Sequence, residues 1–113
     1  VVRDRLAGFW IRETALRANA QRARIPGLVV DRPEALPLMQ KLTGSELTQD
    51  LSDFACELEG AAAGLWIGDR GAIDNAKWQR TYMNSFAMTI AGGTSEILRN
   101  ILGERALGLP KTR

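Results

Sequence analysis

Two glycines and the threonine after them, Gly92-Gly93-Thr94, are the residues of this sequence whose types and order best suit a binding site. Thr94 is a favourable N-cap residue, so a helix is expected to begin directly after it. Free backbone N–H groups and the dipole at a helix start favour an anion or the polar edge of a cofactor, and glycine allows the backbone to approach a flat ligand closely. From the residue types alone, a plain corner between two helices is nevertheless the favoured interpretation.

Few other side chains offer chemistry. The sequence contains no histidine and a single cysteine, Cys56, so neither a metal site nor an internal disulfide is expected. Apolar neighbours in a helical pattern favour Cys56 as a small core residue over a nucleophile. Glu96 falls in the first turn of the helix after Thr94, where the positive end of the helix dipole stabilises an acid.

The composition is that of an ordinary globular domain. The chain has 113 residues, of which 45% are hydrophobic and 25% charged, enough for one domain but not two. A net charge of +2 from 15 basic and 13 acidic residues is too weak and mixed to indicate nucleic-acid binding. No apolar run approaches the ~20 residues of a membrane span, and the charged start does not resemble a signal peptide. We therefore expect a cytoplasmic protein.

The hydrophobic pattern predicts an all-α fold of four helices, because no segment alternates apolar and polar residues for long enough to indicate a strand. The first helix is expected over about residues 2–24, ending at the breaker Ile25-Pro26-Gly27. The second is expected from Glu34 or Leu38 to Ala62, with Gly44 inside it, where glycine often permits close approach of another backbone.

The bounds of the last two helices are predicted from the capping residues at their starts and the glycines between them. The third is expected to begin near Asp74 or Asn75, both good cap residues, and to end at Gly92-Gly93. The fourth should start after Thr94, with its apolar stripe formed by Ile97, Ile101 and Leu102. Long helices joined by short breaks form an antiparallel up-and-down bundle. Three long helices and a short one fit a bundle without its first helix, so residues 1–113 are expected to be part of a larger domain.

A longer segment that contains these residues resembles the sequence of a known protein family. The stretch from Ala87 to Pro110, which contains Ile90-Ala91-Gly92-Gly93-Thr94-Ser95-Glu96-Ile97, resembles the C-terminal signature of the acyl-CoA dehydrogenases. Residues 5–23 resemble the second helix of that family's C-terminal bundle, and Lys41-Leu42-Thr43-Gly44-Ser45-Glu46-Leu47 resembles the opening of the third. The resemblance covers essentially the whole chain and implies a partial C-terminal helical bundle.

The resemblance also implies a flavoprotein. Members of the family oxidise an acyl-CoA thioester between its α and β carbons: a carboxylate removes the α proton while a hydride passes to the flavin. It implies FAD, an acyl-CoA substrate from fatty acid or sterol side-chain degradation, an electron acceptor, and a homo- or hetero-oligomer. The family's N-terminal helical domain and middle β-domain are absent from this sequence, so these residues alone are expected neither to bind FAD nor to be active.

The usual catalytic base of the family does not occur here. In many members a glutamate directly precedes Gly-Thr-Ser, and Gly92 stands at that position in this sequence. No catalytic residue is therefore assigned. The base could lie on the first bundle helix, as in branches that act on branched-chain substrates, or the chain could be a non-catalytic subunit of a hetero-oligomer. An unrelated helical interaction module is the least favoured alternative.

The resemblance assigns cofactor contacts to Thr94, Glu96, Gly93 and Gly60. Thr94 matches a flavin-contacting threonine, a role compatible with capping. Glu96 matches a position near the flavin, although an acid that compensates the helix dipole explains it equally well. Gly60 falls in a stretch that matches the family's Q-x-x-G-G contact to FAD across a subunit boundary. There Glu57 replaces the glutamine, and an acid near a diphosphate is repelled.

Overall fold

The computed structural model describes residues 1–28 and 32–111. Four α-helices form most of this part: α1 Val2–Arg22, α2 Ala35–Glu59, α3 Lys77–Ile90 and α4 Ser95–Ile101. Shorter turns of 3₁₀-helix, and one of π-helix after α4, lie at Pro26–Leu28, Gly60–Gly64, Ile73–Asn75 and Leu102–Ala106. These residues contain no strand, which confirms the predicted all-α class. None of the helices described is both long and apolar enough to cross a membrane.

α2 carries more buried side chains than any other helix. At 3.6 residues per turn its buried side chains fall on two opposite faces, so neighbouring helices cover α2 from two sides. Pro37 is tolerated in the first turn, because the N–H it lacks would have no partner within the helix there. The buried residues of α2 are Leu36, Leu42, Ser45, Leu47, Ser52 and Phe54.

α1 lies antiparallel to α2. Arg5 pairs with Glu57, and Arg12 pairs with Asp50 at 2.7 Å, so a step of seven residues forward on α1 matches seven back on α2. These ion pairs are partly exposed, and pairs of that kind contribute little stability each. Because both pairs have the same spacing, they favour this alignment of α1 along α2 over alignments shifted by a few residues.

α1 contributes little to the core, since none of its residues is buried. Its main apolar contact is Phe9, whose ring centroid lies 5.5 Å from that of Phe54 on α2. Trp10 and Ile11 are 69% and 66% exposed. α1 therefore presents apolar side chains to solvent on the side away from α2, as a helix does when a further partner covers it.

α3 runs antiparallel to α2. Near the start of α3, the amide of Gln79 donates to the carboxylate of Glu59 at the end of α2. Near the end of α3, Met88 lines a shallow groove together with Gly44 of α2. Ser85 is fully buried between these two points, so a small side chain lies where the helices approach.

α4 turns back and runs in the same direction as α2. Gly93, just before α4, contacts Lys41, and Arg99 within α4 pairs with Glu46 at 2.6 Å. Leu98 is 2% exposed and anchors α4 in the core. The alternating directions of α1, α2 and α3, followed by the reversal into α4, confirm the predicted up-and-down bundle.

The predicted cap of α3 by Asp74 or Asn75 is wrong. α3 begins at Lys77, and its N-cap residue Ala76 makes no side-chain cap bond. Asp74, Asn75 and Ala76 all have positive φ, between 45° and 56°. The side-chain oxygen of Asn75 accepts a hydrogen bond from the backbone N–H of Gly68 at 3.3 Å. Asn75 thus closes the loop between α2 and α3 and is not available to the helix.

Two predictions about the interior also differ from the structure. A Cβ atom on Gly44 would meet nothing within 4 Å, so this glycine does not permit a close backbone contact. It leaves a groove instead, lined also by Lys41 and Ala91. In α4 the buried apolar residue is Leu98, whereas Ile97 from the predicted stripe is 50% exposed. The register of a short helix depends on its corner, which the hydrophobic pattern does not specify.

The burial of Leu98 gives a direct test of the packing of α4. Replacing it by alanine should destabilise the chain by about 2–5 kcal/mol, because the change removes buried methyl groups and leaves a cavity. Urea unfolding followed by circular dichroism measures this. The neighbouring Ile97→Ala is the matched control and should cost less than about 1 kcal/mol. Equal losses for the two variants would show that α4 is packed differently.

Candidate functional site

The corner between α3 and α4 is formed by residues 91–94. Ala91 leaves α3 in an extended conformation, and Gly92 and Gly93 follow with φ of 70° and 108°. Residues other than glycine rarely adopt such values, since a Cβ clashes with the backbone there. The two glycines therefore reverse the chain direction within a few residues and place Thr94 at the start of α4.

Thr94 caps α4 as the sequence predicts. Its side-chain oxygen accepts a hydrogen bond from the backbone N–H of Ile97 at 3.3 Å, and its carbonyl accepts from Leu98 at 2.9 Å. Thr94 is half-buried and Ser95 is buried. The hydroxyl proton of Thr94 is not used by this cap bond, because there the oxygen is the acceptor.

Gly93 is held from two sides. A Cβ at Gly93 would lie 3.5 Å from Cδ2 of Leu98, so the glycine backbone packs against the residue that anchors α4. From the other side, Nζ of Lys41 donates to the carbonyl oxygen of Gly93 at 2.6 Å. This contact joins α2 to the backbone immediately before Thr94.

Gly92 is exposed, and a Cβ placed on it would meet nothing within 4 Å. The space in front of the corner is therefore open to a flat ligand. The same position offers no group that could accept a proton, because glycine has no side chain. The corner can bind and orient, but it holds no base of its own.

Glu96 is an acid two residues beyond Thr94, in the first turn of α4. Its side chain is exposed. Hydrogen bonds from its own backbone N–H and from the Thr94 hydroxyl, with the positive charge of Arg99, hold the pKa of Glu96 below its ordinary value. Glu96 is therefore a stable carboxylate at neutral pH, as expected for an acid at a helix start.

Gly60 lies far from the corner. It ends α2 with φ of 56°, and open space surrounds the position of a Cβ. Lys41, which contacts the corner, is about 28 Å away along α2 at 1.5 Å per residue. The four residues assigned as cofactor contacts thus form two groups at opposite ends of one helix: Gly93, Thr94 and Glu96 at one end, and Gly60 at the other.

The acid beside Gly60 is compensated. Glu57 forms an ion pair with Arg5 of α1, and the guanidinium of Arg5 also lies over the ring of Phe54, 4.0 Å from its centroid. The expected repulsion between Glu57 and a diphosphate is reduced, because the neighbouring guanidinium cancels most of the carboxylate's field. Open glycine backbone at both ends and a compensated acid at one are compatible with FAD.

Cys56 takes no part in either group. Its thiol is free and half-buried. Burial, together with the negative charges of Glu59 and Asp53, raises the pKa of Cys56 above its ordinary value. Since the thiolate is the reactive form, this thiol is a poor nucleophile, but its half-buried position is not that of the core residue expected from the sequence.

Two residues of the site were missed by the sequence analysis. One is Lys41, which lies with Leu38 and Ser45 on a covered side of α2, so that its ammonium needs a partner there. Arg5 was also overlooked, because its pairing with Glu57 depends on how α1 packs on α2. The first carried a signal in the sequence, whereas the second carried none.

The chain matches a known protein family. A family model described as "Acyl-CoA dehydrogenase, C-terminal domain" matches residues 1–107. Acyl-CoA dehydrogenase IpdE1 of Mycolicibacterium smegmatis is 36% identical over 111 residues, which cover 98% of this chain and 26% of that protein. IpdE1 of Mycobacterium tuberculosis is also 36% identical over 111 residues, covering 98% of this chain and 27% of its own length.

A second relative matches part of the chain. Acyl-CoA dehydrogenase FadE26 of Mycobacterium tuberculosis is 35% identical over 71 residues, or 63% of this chain and 18% of that protein. The chain thus spans about a quarter of the length of the IpdE1 relatives that it matches. No solved structure gives a significant match.

Removing the hydroxyl of Thr94 tests the corner as a helix start. Thr94→Ala should destabilise the chain by about 1 kcal/mol, because the N–H of Ile97 loses its partner. Thr94→Ser, which keeps the hydroxyl, should stay close to the wild type. Thermal unfolding of the three proteins gives the comparison, and an alanine variant as stable as the serine variant would argue against the cap.

Proposed function

We propose, because this chain belongs to the acyl-CoA dehydrogenase family, that it acts as the C-terminal helical domain of an FAD-dependent enzyme that dehydrogenates an acyl-CoA thioester between its α and β carbons. The observation that carries the proposal is the Gly92-Gly93-Thr94 corner, whose open glycine backbone and capped helix start suit a flat, polar cofactor. Acyl-CoA and a separate electron acceptor are its partners, in the cytoplasm.

The residues at the corner bind and orient. The hydroxyl proton of Thr94 can donate to a ring heteroatom in place of the Glu96 carboxylate, while its oxygen keeps the cap bond to Ile97. Gly92 and Gly93 allow close approach because no Cβ projects from them. FAD, when bound, supplies the acceptor for the hydride. The chain's own contribution at this end is to position the cofactor, without proton transfer.

The opposite end of α2 serves a different flavin. Along the helix, Gly60 lies about 28 Å and Glu57 about 24 Å from Lys41 at the corner, too far for one chain to surround a single cofactor closely with both groups. We propose that each cofactor is shared between two copies, or between this chain and a related subunit. The exposed apolar side chains of Trp10, Ile11, Met83 and Ile90 support such association.

A second candidate follows from Gly92. A family domain that lacks an acid at this position can serve as the non-catalytic subunit of a hetero-oligomer, holding flavin for a partner that supplies the base. The alternative within the first candidate is a carboxylate on another helix of the same subunit. Either way, Gly92 leaves the proton transfer to a residue outside the corner.

The experiment uses the complete polypeptide that carries this domain, as wild type, Gly92→Glu and Gly92→Gln. We expect it to purify with flavin, and expect the 113-residue chain alone to carry none. Bleaching of the flavin by acyl-CoA measures dehydrogenation. If the base is on another helix, the wild type is active and Gly92→Glu adds nothing.

If the chain is a non-catalytic subunit, the wild type is inactive without its partner. Gly92→Glu should then exceed Gly92→Gln by at least about 100-fold, the usual contribution of a positioned base. The glutamine variant controls for size and for the strain of a side chain at this positive φ. A complete polypeptide that has no flavin, and that neither oxidises acyl-CoA nor supports a partner that does, would contradict both candidates.

A further inference from the structure

We propose that Lys41 is a positioning residue, which fixes the corner of residues 92–94 against α2 and thereby sets where Thr94 meets the flavin. The effect on the contact between Thr94 and the flavin rests on the proposed function, whereas the attachment of the corner to α2 does not. The contact between Lys41 and the corner is present in the chain without a cofactor, so it can be measured separately.

The contact is short and links distant parts of the sequence. Nζ of Lys41 lies 2.6 Å from the carbonyl oxygen of Gly93, in a partly buried position, and the two residues are 52 positions apart. Within residues 1–28 and 32–111 this ammonium forms no ion pair with a carboxylate. Hydrogen bonds from a charged donor are stronger than neutral ones, so this bond is the main polar restraint on the Lys41 side chain.

The corner needs a restraint of this kind. Gly92 and Gly93 both have positive φ, and glycine loses more conformational freedom on folding than any other residue. The carbonyl of Gly93 belongs to the peptide plane that ends at the nitrogen of Thr94. Holding that oxygen therefore fixes the orientation of the whole plane, and with it the first residue of the α4 cap.

A second link between the same helices provides a control. Glu46 of α2 pairs with Arg99 of α4 at 2.6 Å, beyond the corner and in a more exposed place. A general loss of attachment between α2 and α4 would follow from breaking either link. A role in positioning predicts instead that only the Lys41 bond controls the backbone around Thr94.

The first measurement is amide hydrogen exchange in the flavin-free 113-residue chain. The reporters are the N–H groups of Ile97 and Leu98, which donate to the side chain and the carbonyl of Thr94. In Lys41→Met both should exchange about tenfold faster, while amides in the middle of α2 keep their rates. Lys41→Arg, which keeps a charged donor, should stay within about threefold of the wild type.

Glu46→Gln is the matched control, and it should change the Ile97 and Leu98 rates by no more than about threefold. Should Lys41→Met fail to fold, Lys41→Gln replaces it, because glutamine is shorter and neutral yet keeps a polar head. Unchanged reporter rates in the folded variant would overturn the proposal. So would faster exchange spread evenly over all helices, since that indicates a loss of overall stability.

The second measurement uses the flavin-loaded complete polypeptide. Lys41→Met should shift the flavin absorbance spectrum and its midpoint potential, with Lys41→Arg restoring both and flavin content unchanged. An unaltered spectrum and potential would remove the flavin-directed part of the role. Absence of flavin from the wild type would count against the proposed function, a result that the exchange experiment does not depend on.

Discussion

Close packing of α3 on α2 is the interaction on which the rest of this molecule depends. Ser52 on α2 and Ser85 on α3 are completely buried, and their hydroxyls donate to carbonyls of their own helices at 2.7 and 2.6 Å. Because both groups are satisfied locally, they can be buried without a partner on the other helix. The small side chains let the two helices approach.

The position of the corner follows from that packing. α3 ends at Ile90, the two glycines reverse the chain, and Lys41 meets the carbonyl of Gly93 from α2. α4 is then secured by Leu98 in the core and by Arg99 on Glu46. A site made of backbone and a single hydroxyl has little chemistry of its own, so the role we propose for it is to place Thr94.

Much of this architecture could be predicted from the sequence, because helices with one buried face repeat their apolar residues with a helical period. The helix class, the bundle and the Thr94 cap follow from such local signals. The start of α3 does not, since Asn75 is used by the backbone of Gly68 and not by the helix. The sequence indicates that Lys41 needs a partner, but it identifies neither that partner nor the partner of Arg5, because each contact depends on helix packing and on a residue about 50 positions away.

We propose that the corner of residues 92–94 faces the flavin of an acyl-CoA dehydrogenase without supplying the base. A structure of the complete polypeptide with FAD bound would show this contact. We expect the side-chain oxygen of Thr94 about 3 Å from a polar atom of the flavin ring, at hydrogen-bond distance, with Gly92 beside the acyl site and no carboxylate from this chain there. A flavin bound elsewhere, with the corner open to solvent, would contradict it.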